Sequence, residues 1–148
     1  MFTMKKLLYI FLILSSAMLS AQKSTSVKFA VYNDAIGTAS MFNLYKSSIE
    51  KVNVFKPKAH LPSNLKKFDY LADNGLIEIK FKKNAGYPDS LSLEMLNEQN
   101  NLPKDRPVFI EGYQCNDTAT RIYNEMIGNI EIIDLNGQKS IHISTISN

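Results

Sequence analysis

Cys115, Asp117, His60 and His142 are the side chains of this sequence whose types suit nucleophilic or metal chemistry. A thiol nucleophile needs a base within hydrogen-bond reach, and no spacing here brings Cys115 to a histidine. The expectation for Cys115 is therefore a free, semi-buried thiol. His142 sits between Ile141 and Ile143, so strand alternation sends it to the opposite, wet face, and His60 lies in a proline-flanked loop. Both read as surface histidines. Two distant histidines and one cysteine do not make the short-spaced ligand cluster that zinc requires, so neither a metal nor a cofactor is expected. Asp69 and Asp73 could share a helix face, but a paired acid also needs a buried cleft to shift its pKa, and a solvated face is the expectation. The sequence holds no G-x-S-x-G, H-E-x-x-H, P-loop or G-x-G-x-x-G pattern. The chain is accordingly read as not an enzyme. The rival reading is a small secreted hydrolase with Cys115 as nucleophile, which demands a lowered thiol pKa.

The first segment bears on compartment. Lys5 and Lys6 precede an uninterrupted apolar run, Leu7 to Leu14, and mostly small residues follow to Ala21, the layout of a secretory signal peptide over residues 1–21. The run is far shorter than the roughly 20 residues of a membrane span, so the expectation is an exported chain, periplasmic or extracellular, with no stable membrane insertion after the leader is removed. The 17 Lys and Arg stand against 14 Asp and Glu; without Lys5 and Lys6 the balance is 15 against 14. Such near neutrality makes no case for a nucleic-acid partner, which calls for a basic patch. With Cys115 the only cysteine, no internal disulfide can form, and stability must come from packing.

Residues 22–148 read as one α+β domain built of two similar halves, about 26–83 and 107–146, joined by a helix-containing linker. Alternation of apolar and polar residues predicts strands near 27–33, 50–55, 76–82, 108–111, 129–134 and 140–146. Helical spacing predicts helices over Gly37 to Ser47 with Thr38 as cap, from Asp89 through Gln99, and over Thr118 to Met126, with one or two helical turns around Leu65 to Ala72. Asn136-Gly137 predicts a tight hairpin, because both central positions of that turn need positive φ. Phe29 to Phe55 aligns without gaps on Pro107 to Ile133 after a shift of 78 positions, matching Tyr45 with Tyr123, Val52 with Ile130 and Val54 with Ile132. The halves differ in the connection before the last strand, which is Lys56 to Gly75 in the first and a tight turn in the second.

Ser48-Ile49-Glu50-Lys51-Val52-Asn53-Val54-Phe55-Lys56, followed after a spacer by Asp73-Asn74-Gly75-Leu76-Ile77-Glu78-Ile79-Lys80, resembles the plug domain of TonB-dependent outer-membrane receptors. That family shows an I-E-x-I-x-V-x-K strand, then a spacer, then an N-G-V-I-x-I strand. Pro107-Val108-Phe109-Ile110-Glu111-Gly112 likewise resembles the P-L-x-x-x-D-G strand that opens the same unit. The family's tight Y-G turn is replaced here by Lys58 to Asp73, and the chain is too short to hold a membrane barrel. The resemblance implies two plug-like strand-helix-hairpin units with mainly antiparallel sheet. It also implies an exported binding or accessory protein of the bacterial envelope, allied to TonB-dependent uptake, whose partner is an envelope protein or outer-membrane receptor. The long connection, proline-containing and basic, is the expected contact surface, through Lys58, Lys66, Lys67, Phe68 and Tyr70. Trimming it to a tight turn is expected to leave the sheet intact.

Overall fold

Alternating β-branched and aromatic residues build two mixed sheets in the computed structural model, which describes residues 22–146; the signal-peptide reading of residues 1–21 lies outside them. The first half begins with β1 (Phe29–Tyr32) and β2 (Ala35–Thr38), a hairpin closed by Asn33 and Asp34, both at positive φ. A short α1 (Ala39–Phe42) follows, its N-terminus capped by the Thr38 hydroxyl, which accepts from the Met41 amide at 3.2 Å. A 3-10 segment, Asn43–Ser48, leads into β3 (Ile49–Phe55), and β4 (Leu76–Phe81) returns antiparallel to β3 and lies parallel beside β1. Two short strands, β5 (Ser90–Ser92) and β8 (Arg121–Tyr123), complete this sheet beyond β2.

The second half repeats the order of the first. Strands β6 (Val108–Ile110) and β7 (Tyr113–Cys115) form a hairpin over Glu111 and Gly112, again both at positive φ, and β9 (Ile127–Leu135) and β10 (Gln138–Thr145) form the long one. The spatial order β3-β4-β1-β2 in one sheet matches β9-β10-β6-β7 in the other. The shift of 78 carries Asn33-Asp34 onto Glu111-Gly112 and Val54 onto Ile132. Their strand partners, Ile77 and Ile141, are related by 64, the difference being the extra length of the first connection. Even the irregularity repeats: Glu50 is skipped between the pairs Ile49–Phe81 and Lys51–Lys80, and its counterpart Gly128 between Ile127–Thr145 and Asn129–Ser144. The Lys82 amide donates to the Ser48 carbonyl at 2.8 Å, and its counterpart Ile146 donates to Met126 at 3.0 Å. The Asn136-Gly137 turn has the expected positive φ at both residues.

All six expected strands are present, with five antiparallel pairings and three parallel ones, β1 with β4, β6 with β10 and β2 with β8. Two expected helices are corrected. Thr118 to Met126 is not a helix: it forms β8 and a 3-10 turn, Asn124–Met126. The open edge of β2 supplies ladder hydrogen bonds to β8, Ile122 and Tyr123 are buried, and the Tyr123 hydroxyl donates to the Tyr32 carbonyl at 2.7 Å. The helix expected from Asp89 starts later. Ser90–Ser92 is the strand β5, paired with β8, and α2 (Leu93–Gln99) is capped by Ser92, which accepts from the Met95 amide at 3.2 Å. Thr38 is the expected cap of α1 and also the last residue of β2.

The first sheet is covered on both faces. Phe42 and Tyr45 lie against Phe81 on the face that carries Ile77 and Ile79. On the other face Phe29 meets Tyr113 of the second half edge-to-face at 5.5 Å, which joins the two halves in one core.

Candidate functional site

The long connection was the expected contact surface, and the structure divides it. Lys58, Lys66 and Lys67 are exposed, Lys67 being paired with Asp34 and lying over the Phe68 ring at 5.1 Å. Phe68 and Tyr70 do not face solvent, which corrects their assignment as contact residues. The Lys66–Asn74 segment is a 3-10 helix packed against β4 of the first sheet and β7 of the second, and its Phe68 and Leu71, with Leu61 and Leu65 before it, are buried. Tyr70 is half-buried and reaches the other half, where its hydroxyl donates to the Cys115 Sγ at 3.0 Å. Burial, with the sulfur beside it, raises the Tyr70 pKa well above the usual phenol value. The extra length of the first half therefore serves as a bridge. Asn74, read in the sequence only as part of a turn, extends that bridge by donating to the carbonyls of Ser24 at 3.0 Å and Val27 at 3.2 Å.

Cys115 is buried, 1% exposed, with its Sγ 3.4 Å from the Asp117 carbonyl in addition to the Tyr70 contact. It is more enclosed than the semi-buried thiol expected. A sulfur that accepts a hydrogen bond from a phenol and lies out of water is not presented to a substrate. Native protein should accordingly react with iodoacetamide orders of magnitude more slowly than protein in denaturant; equal rates in the two states would show an accessible thiol and overturn this placement. Asp117, Asp69 and Asp73 are exposed, and Asp73 pairs with Lys23 at 3.4 Å. His60 is exposed, as expected of its loop. Among the described residues, no three His, Cys, Asp or Glu side chains are grouped to hold a metal ion, and no helix is long and apolar enough to cross a membrane.

His142 is the second correction. It does project from the outer face of the second sheet, yet it is only 9% exposed, because the Phe109 ring on the neighbouring strand stacks on it at 4.4 Å and 13°. Its Nε2 is buried without a hydrogen-bond partner. Burial lowers the His142 pKa, with Glu131, its cross-strand neighbour on β9, acting in the opposite sense. Because the folded chain holds the proton less tightly than the unfolded chain, whose histidine titrates near 6.5, the stabilisation is fully present above that pH and is lost as pH falls through it. Glu78 acts in the same direction lower down: its pKa is depressed by hydrogen bonds from Asn53 and Asn64. The melting temperature should fall between about pH 7 and pH 5, and His142→Phe should flatten that interval while leaving the steeper loss below it. An unchanged slope in the variant would remove His142 as its source.

Two kinds of surface remain. A cleft of about 520 Å³ between the halves is lined by polar Ser24, Ser26, Thr38, Glu111 and Thr145 together with apolar Val27, Ala39 and Ile146, and Glu111 is engaged there as acceptor of the Thr145 hydroxyl at 2.7 Å. Among the described residues nothing pairs with the outer edges of the two long hairpins, β3 and β9, and each displays aliphatic side chains: Val52 and Val54 on β3, Ile132 and Leu135 on β9. Set against family models, curated proteins and solved structures, the chain gives no significant match.

Proposed function

We propose that this chain is a non-enzymatic, exported binding or accessory protein of the bacterial envelope, plug-like and allied to TonB-dependent uptake. The observation that carries the reading is the arrangement of the motif-bearing segments. The I-E-K-V-N-V and N-G-L-I-E-I-K segments are the paired strands β3 and β4, and P-V-F-I-E-G forms β6 and its tight turn beside the corresponding hairpin of the second half. Strands that resemble those of a receptor plug thus lie together as one unit and recur as a second. The enclosure of Cys115 supports the non-enzymatic side of the reading, and the leader-like residues 1–21 support export. Open hairpin edges suit protein contact, since an unpaired strand offers a row of amides and carbonyls to a partner. The test is affinity capture from outer-membrane extracts with the tagged protein, read by mass spectrometry. Enrichment of a TonB-dependent receptor or a component of its uptake system, lost on competition with untagged protein, is the expected result; no envelope component enriched over a tag-only control would overturn it.

A further inference from the structure

We propose that the two open edges, β3 and β9, pair with one another between copies of this chain, so that the protein assembles head to tail through a continuous sheet. Among the described residues no strand lies beyond β3 or β9, and both are long, seven and nine residues, without an internal proline. Val52 and Val54 are 49% and 66% exposed, and Ile132 is 47% exposed, so apolar surface accompanies the unpaired backbone on each edge.

Charge identifies the occupant. Edge strands are ordinarily guarded by charged side chains that repel an incoming strand. Here the guards differ in sign. The charges of β9 are Glu131 and Asp134, both acidic; Lys139 of β10 stands opposite Asp134, which leaves Glu131 as the acidic guard of this edge. On β3 the acidic Glu50 is answered by Lys80 at 3.8 Å, and the basic guards of this edge are Lys51, whose charge also acts on Glu78 of β4, and Lys56 directly after the strand. Two β9 edges repel each other, and so do two β3 edges, whereas β3 against β9 brings opposite charges together. In the antiparallel register that sets Val52 against Ile130 of a second copy, Lys51 falls against Glu131 of that copy, and such cross-strand pairs favour association. Because β3 and β9 hold equivalent places in the two halves, the contact has an approximate two-fold relation. It nevertheless joins different surfaces, so one copy keeps its β9 edge free and the other its β3 edge, and growth continues into rings or open chains.

The test is sedimentation velocity on the purified exported protein over a wide concentration range, at low and high salt, with Lys51→Glu, Glu131→Lys and their equimolar mixture. The wild type is expected to show a mass that rises with concentration and to associate less at high salt. Each single reversal should weaken association roughly tenfold or more, since like charges then face each other. The mixture should recover it, because the reversed β3 edge of the Lys51→Glu variant meets the reversed β9 edge of the Glu131→Lys variant. Both positions are exposed, and an unchanged melting temperature identifies variants that fold. A wild type that stays monomeric overturns the proposal, as do association that stops at a symmetric dimer, single variants that assemble as the wild type does, and a mixture that fails to recover. Capture of an envelope receptor is read separately, so this result and the functional one can fail independently.

Discussion

Replacing Lys56 to Asn74 by an Asn-Gly turn, the geometry that closes the second hairpin, should abolish cooperative unfolding altogether. The sequence alone predicts a trimmed protein at least as stable, because loop length itself costs little entropy, on the condition that Leu65, Phe68 and Leu71 lie outside the core. What decides the matter is burial. Leu61 is 5% exposed, and Leu65, Phe68 and Leu71 are each 1% exposed, so the deletion strips four side chains from the core and uncovers β4 and β7, against which the segment packs. Each Leu to Ala change at such a site costs about 2–5 kcal/mol and Phe to Ala about 3–5, and removal of all four, about 9–20 kcal/mol on that scale, is as large as the roughly 5–15 kcal/mol that holds an ordinary domain together. Phe68→Ala alone should remain folded but lose about 3–5 kcal/mol, read by chemical denaturation. A trimmed protein that melts cooperatively near the wild-type temperature would show that the bridge is dispensable.

The second large effect is expected at Gly75, where that bridge turns into β4. Its backbone lies at φ 88 and ψ 170, a region closed to side-chain-bearing residues, and a Cβ built there falls 2.7 Å from the carbonyl oxygen of Phe55. The obstacle is backbone of the paired strand, so it cannot swing aside. Gly75→Ala should cost about 1–3 kcal/mol for the dihedrals alone, and more for the displaced Phe55–Leu76 end of the ladder. Gly86→Ala is the fitting control, because a Cβ there meets nothing within 4 Å. Equal melting temperatures for the two variants would show that Gly75 does not adopt this conformation.

Six strands and the two-part plan were legible because they are local patterns. Ile77, Ile79 and Phe81 alternate with Glu78 and Lys80, and Asn136-Gly137 marks its turn by residue type alone. The three-residue strands β5, β7 and β8 were not legible. Arg121-Ile122-Tyr123 has helical spacing with Met126 and becomes a strand only because β2, far away in sequence, leaves an edge beside it. Among the candidate site residues, the exposure of Lys58, Lys66 and Lys67 follows from their charge. Phe68 and Tyr70 were misassigned because a connection without a counterpart in the other half was read as an appendage, whereas Tyr70 meets Cys115 across the seam between the halves. His142 was given the correct face, but the ring of Phe109 that covers it comes from a strand paired in parallel, a neighbour no local pattern reveals.

The placement of β8 governs the order in which the chain can become structured. The sheet of the first half stays incomplete at β2 until residues Arg121 to Tyr123 exist, and the Ser24 amide must wait for the Glu111 carbonyl, to which it donates at 2.9 Å. The halves are twins in topology but are not separable folding units. A growing chain holding only the first of them has an unpaired edge and an uncovered Phe29, and these long-range closures make the whole a slow, late-committing folder. Such a chain can close its two sheets only when synthesis is nearly complete.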